Sequence, residues 1–150
     1  MTDADGTPSG TARAIYIAAP EGDTGKSTIA LGILHRLTAT VARVGVFRPI
    51  SRLDEARDHI LELLLAHATA ELDYTQCIGV TYRQLHADPD AAITDIVDRY
   101  HVMAAGCDAV VIVGSDYTDV TSPAELSVNA RIAVNLGAPV LLALRAKNRT

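Results

Sequence analysis

A lysine followed by two hydroxyls, placed straight after a glycine, is the chemistry that stands out in this chain. The stretch is Pro20-Glu21-Gly22-Asp23-Thr24-Gly25-Lys26-Ser27-Thr28. It follows an apolar run, Ala14 to Ala19, and opens into a helix-like segment, Thr28 to Leu37. Strand, glycine-containing loop and helix is the context in which such a loop binds phosphate. Backbone N–H groups of Gly22, Asp23, Thr24 and Gly25, with the unpaired N–H groups of the helix's first turn, converge on an oxyanion. Lys26 adds a positive charge for the terminal phosphates, and the hydroxyl of Ser27 or Thr28 suits Mg²⁺. The usual pattern is G-x-x-x-x-G-K-[ST], and Pro20 stands where its first glycine belongs. Lysine is scarce here, since Lys26 and Lys147 are the two lysines among 13 basic residues, so a lysine in this loop is a chosen residue.

A phosphate loop needs a metal partner, commonly a carboxylate at the end of a buried strand. The β-branched run to Val113 leads into Gly114-Ser115-Asp116, with Asp119 three residues on, and Asp116 lies nearer the strand end. Ser27 and Asp116 are therefore the candidate metal ligands. The competing reading is that Asp116 and Asp119 cap the turn, which Asp does readily. Arg48, at the end of a second short apolar run, points at the same rim, because ligands collect outside the carboxyl ends of strands in open α/β sheets. It reads equally as a solvated rim arginine. No Cys/His or Ser/His/Asp arrangement has the context of a nucleophilic site.

The elements that must position these residues alternate. Strands are expected at Arg13 to Ala19, Val44 to Arg48 (ended by Pro49), Asp108 to Val113 and Pro139 to Leu144. Helices are expected at Thr28 to Leu37, Asp54 to Leu72, Asp88 to Gly106 and Ser122 to Leu136. Asp88 with Pro89, and Ser122-Pro123-Ala124-Glu125, supply start signals, and Gly106 and Gly137 supply stops. Residues 73–87 carry the weakest pattern; Cys77 to Tyr82 reads as a short strand or an extended linker. Met1 to Ala12 is polar and aperiodic, a leader before one domain over 13–150. The predicted fold is α/β, a parallel sheet of about five strands with helices on both faces. The chain stops after a strand without a closing helix, so a fragment of a longer polypeptide is expected.

Composition bounds the partners. The chain has 150 residues, 49 % hydrophobic and 21 % charged, and a formal net charge of −5. That is one domain's worth of core. No cluster of Lys or Arg favours nucleic acid or an anionic membrane. No apolar run approaches the ~18 residues of a spanning helix, and no signal-type core opens the chain, so a cytoplasmic protein is expected. With one Phe, five Tyr and no Trp, the core is expected to consist of Ala, Val, Ile and Leu. Cys77 and Cys107 lack metal spacing and read as small buried apolar residues.

Three stretches together, Ile15 to Ala30, Val44 to Ile50 and Ser127 to Leu141, resemble the N-terminal P-loop domain of the long form of phosphate acetyltransferase, of an actinobacterial type. That domain is in turn similar to dethiobiotin synthetase and the amidating cobyrinate synthases, which depend on ATP and Mg²⁺. The resemblance implies that Lys26 and Ser27 hold phosphates and Mg²⁺, and that Arg48 stands where dethiobiotin synthetase carries a lysine facing substrate and phosphate. The related synthases place Glu at the strand end where this chain has Gly114, which shifts any metal to Asp116 or weakens it. The resemblance also implies a P-loop NTPase-like fold. In the full-length enzyme, acetyl transfer between CoA and phosphate belongs to a separate C-terminal domain, and this domain is associated with regulation and with holding a homo-oligomer together. The expected partners are thus ATP or another phosphate-bearing effector and the rest of the same polypeptide. Two alternatives stand beside this: a self-sufficient ATP- and Mg²⁺-dependent ligase of the dethiobiotin synthetase type, and a degenerate assembly domain that binds no nucleotide.

Overall fold

The computed structural model describes residues 12–20, 25–52, 57–115 and 122–146, with the side chains of 122–124 left aside. Five parallel strands are β1 (Arg13–Ala18), β2 (Val44–Ser51), β3 (Ile78–Thr81), β4 (Ala109–Val113) and β5 (Val140–Leu142), ordered β3-β2-β4-β1-β5. The helices are α1 (Lys26–Thr38), α2 (His59–Leu65), α3 (Tyr82–Ala87), α4 (Pro89–Ala104) and α5 (Ser122–Leu136). α1 touches α2, and α4 touches α5, the grouping on opposite faces that right-handed crossovers require for this strand order. This is the expected five-stranded α/β sheet. Central β4 is buried along its whole length, as its unbroken β-branched run requires.

Three expectations are corrected. The helix expected over Asp54 to Leu72 is the seven-residue α2: it starts after Asp58, whose side chain accepts from the Leu61 N–H at 3.0 Å, and it stops at Leu65. Beyond it, the Thr69 and Ala70 N–H groups both donate to the Val44 carbonyl, and Thr69 Oγ1 accepts from the Val44 N–H at 2.9 Å. Those bonds pull the backbone out of the helix and onto the start of β2. Asp54 and Glu55 lie outside the described residues.

The second strand does not end at Arg48; β2 continues through Pro49 to Ser51. The Arg48 N–H donates towards β3, to the Cys77 carbonyl at 2.8 Å, so the N–H that Pro49 lacks would face β4. Pairing with β4 has already ended at Phe47–Ile112, so no ladder bond is missing there.

Of the two readings of Cys77 to Tyr82, the short strand is the one found, as β3, and α3 follows it, started by a reciprocal capping box between Thr81 and Gln84. The few aromatics are also core residues: Tyr16, Phe47 and Tyr100 are buried, and the Phe47 and Tyr100 rings meet edge to face at 5.5 Å. Cys77 and Cys107 are buried free thiols, and burial pushes the Cys77 thiol up to about 12. Edge strand β5 is exposed along all three residues.

Candidate functional site

Gly25 is the N-cap of α1 with φ 77° and ψ 22°, a left-handed conformation that costs a glycine little. The Ile29 N–H closes the first turn of the helix onto the Gly25 carbonyl at 3.0 Å. Lys26 is the first helical residue and only 2 % exposed. Lys26, Ala30 and Leu34 recur at i, i+4 and i+8 as the buried residues of α1. The lysine therefore heads the inward face of the helix, at its positive dipole end. Ser27 is half-buried and Thr28 exposed beside it. Gly22, Asp23 and Thr24 lie outside the described residues, as does Asp116.

Arg48 is brought to the same rim, but its guanidinium is engaged there. It is 3 % exposed; Nε donates to Asp58 Oδ2 at 3.1 Å, and Nη1 donates to the carbonyls of Gly114 at 2.6 Å and Val113 at 3.3 Å. Asp58, whose side chain is 8 % exposed, caps α2 with its other oxygen, and its N–H donates to the Tyr74 hydroxyl at 2.7 Å. One arginine thus ties the carboxyl ends of β2 and β4 to the start of α2. It is not a solvated rim residue.

A second buried polar chain runs behind the end of β4. The Tyr16 hydroxyl donates to Asn129 Oδ1 at 2.6 Å, and that oxygen also accepts from the Ser115 N–H at 3.1 Å. Asn129 Nδ2 lies in hydrogen-bond range of the Ser115 carbonyl (3.2 Å), Ser115 Oγ (3.1 Å) and the Glu125 carbonyl (3.0 Å). Ser115 Oγ donates to Glu125 Oε1. All four residues are buried. Burial, the largest influence, drives the Tyr16 phenol far above its ordinary range; Arg48 opposes this and Glu125 adds to it.

This chain explains the glycine at the strand end. A Cβ on Gly114 would lie 2.5 Å from Asn129 Oδ1 and 2.8 Å from Tyr16 Cε1. The place where the related synthases carry their acid has no room here for any side chain. Among the described residues, no group of three or more His, Cys, Asp or Glu is arranged to hold a metal ion. Of the proposed metal ligands, Ser27 alone can be located.

The sequence reading overlooked Tyr16, Ser115, Glu125, Asn129 and Asp58. A signal existed for two of them. Glu125 and Asn129 fall at i and i+4 on the same stripe as Ile132, Ala133 and Leu136, the buried face of α5. A polar pair on a buried stripe must find partners. Glu125, expected to complete a capping box with Ser122, accepts from the Ser115 hydroxyl; the side chain of Ser122 lies outside the described residues.

No helix of the described residues is long and apolar enough to cross a membrane. Residues 13–150 match a family described as an AAA domain. The chain is 30 % identical over 135 residues to a phosphate acetyltransferase of Nitratidesulfovibrio vulgaris, an alignment covering 85 % of this chain and 19 % of that protein. It is 30 % identical over 143 residues to a phosphate acetyltransferase of Synechocystis sp., covering 91 % of this chain and 20 % of the relative. These matches bear out the resemblance to a P-loop domain of phosphate acetyltransferase. The chain spans about a fifth of the length of these curated relatives.

Proposed function

This chain belongs to the AAA domain family, and we propose that it is the regulatory and assembly domain of a phosphate acetyltransferase, one that takes a nucleotide or other phosphate-bearing effector at Gly22 to Thr28. The observation that carries the reading is Lys26: a buried lysine on the first turn of α1, straight after a left-handed glycine and at the carboxyl end of β1. Helix dipole, N-terminal N–H groups and a fixed cation together favour an oxyanion. Gly25 to Thr28 make the contact and Ser27 faces any Mg²⁺. Arg48, committed to Asp58 and to two carbonyls, holds the rim in shape and reaches phosphate only by giving up those bonds. Acetyl transfer between CoA and phosphate belongs to the remainder of a longer, cytoplasmic, homo-oligomeric polypeptide.

A second reading, an assembly domain that binds no nucleotide, is favoured by the crowding at Gly114, which removes the usual seat of the metal-binding acid. Isothermal titration with ATP and ADP, with and without Mg²⁺, separates the two. The proposal expects saturable heat that Lys26→Ala abolishes while the melting temperature stays near wild type. Absence of both heat and thermal shift at millimolar nucleotide would select the assembly reading. A collapse of stability in Lys26→Ala would make the lysine a structural residue.

A further inference from the structure

β5 is an edge strand with the sequence of an internal one. It pairs with β1 alone, through Tyr16–Val140, Ile17–Leu141 and Ala18–Leu142. Registered neighbours in a sheet point to the same face, so Val140 and Leu142 lie on the Tyr16 side, where α5 packs, and Leu141 lies on the Ile17 side. Apolar residues on both faces are the pattern of a parallel strand enclosed on each side. In β5 they are open instead: Val140 is 48 % exposed, Leu141 38 %, Leu142 45 %, and Leu144, just beyond, 56 %. Their neighbours in register on β1 are at most 1 % exposed.

The backbone of this edge is open as well. The Tyr16 N–H donates to the Pro139 carbonyl at 2.9 Å, and the Ala143 N–H to the Ala18 carbonyl at 2.8 Å. Residues 139, 141 and 143 therefore bond towards β1, and alternation turns the N–H and C=O groups of Val140 and Leu142 outwards. Natural edges are blunted by charge, proline, bulges or a covering element. The opposite edge, β3, has α3 and α4 packed against it. Val140 to Leu144 carries no charge at all.

Two occupants compete for this edge. A three-residue strand meeting its own copy across a two-fold axis falls far short of the roughly 20–30 residues a side of a standard interface. A strand from the same polypeptide has no association entropy to overcome, and the curated relatives are about five times as long as the region they share with this chain. We propose that β5 docks a further strand from the remainder of the same polypeptide. Its backbone pairs with Val140 and Leu142, and its apolar side chains cover Leu141, Leu142 and Leu144. The inference rests on the reading of this chain as one domain of a longer phosphate acetyltransferase.

The test is amide hydrogen exchange over Val140 to Leu144, read by mass spectrometry on residues 1–150 and on the longer polypeptide of the same reading frame. Exchange should be roughly a hundredfold slower in the longer polypeptide, at every protein concentration. Leu142→Lys should lower the melting temperature of the longer polypeptide and leave that of residues 1–150 unchanged. Equal exchange in the two proteins would overturn the docking, as would equal slow exchange in monomeric 1–150. Protection that grows with protein concentration would give the edge to a second copy. A reading frame that closes at Thr150 removes the phosphate acetyltransferase reading and this docking together. Acetyl transfer by a longer polypeptide whose β5 amides stay open removes the docking alone.

Discussion

The hydroxyl of Tyr16 and the side-chain oxygen of Asn129 are 2.6 Å apart, although 113 positions separate them in the chain. The bond ties the strand that leads into the phosphate loop to the helix that follows the end of β4. It also occupies the volume a side chain at Gly114 would need. The two features of this rim that look like losses, a tyrosine among aliphatic residues and a missing acid, are thus one arrangement.

Removing that hydroxyl should be felt in stability. Tyr16→Phe leaves Asn129 Oδ1, among the described residues, with the Ser115 N–H, and a hydrogen bond lost with its acceptor still satisfied costs about 0.5–1.5 kcal/mol. Gly114→Ala should cost more, since overpacking a filled site costs about 1–3 kcal/mol. Urea unfolding of the two single variants and the double variant checks both. Tyr16→Phe should not rescue Gly114→Ala, because the ring carbon and Asn129 Oδ1 both remain in the way.

The alternation of strands and helices and several element ends were legible because they rest on local signals: the β-branched run before Gly114, Pro89 after Asp88, Gly137 closing α5. The early end of α2 was not, since it depends on Thr69 and Ala70 bonding to Val44, a partner 25 residues away. Pro49 read as a strand end for a similar reason, since its tolerance depends on where β4 stops pairing. The Gly25-Lys26 turn is written in adjacent residues and was found. The Tyr16, Ser115, Glu125 and Asn129 cluster draws on three separated segments. Only the buried stripe of α5 hinted at it.

Gly79 should be intolerant of any side chain. It lies opposite Pro49 where β3 pairs with β2, and a Cβ there would lie 2.2 Å from the Pro49 carbonyl oxygen. The obstacle is backbone, which a rotamer change cannot move. Gly79→Ala should destabilise by more than the ~1–3 kcal/mol of ordinary overpacking, whereas Gly32→Ala, with nothing near its added carbon, should be neutral or stabilising. Thermal melts of the two variants side by side test this; equal melting temperatures would mean that β3 moves aside.

The Arg43–Asp108 pair should leave a signature at acid pH. Arg43 meets the carboxylate with Nη2 at 2.9 Å, Nε at 3.3 Å and its backbone N–H at 3.1 Å. The hydrogen bonds from Arg43 hold the Asp108 carboxyl below its ordinary range. A depressed native value means that protons bind the unfolded chain more readily. The pair's contribution is then complete above the unfolded value of about 3.9 and is lost as pH falls through the native one. The melting-temperature gap between wild type and Asp108→Asn should be small, since both partners are exposed. It should be constant near neutral pH and close below about pH 4. A gap that widens in acid would contradict the assignment.

Arg48 and Lys26 should separate cleanly into fold and ligand. Arg48→Met strands Asp58 as a buried carboxylate and frees the carbonyls of Val113 and Gly114, and breaking a buried pair from one side costs about 3–5 kcal/mol. Arg48→Lys keeps the charge but cannot span Asp58 and two carbonyls with one ammonium, so an intermediate loss is expected. Nucleotide affinity of the folded Arg48→Lys protein should stay close to wild type, because the direct contact is assigned to Gly25 through Thr28. Urea unfolding paired with calorimetric titration reads both quantities on one sample. Intact stability with lost affinity in Arg48→Lys would move the arginine into the ligand contact and require it to leave Asp58 when phosphate arrives.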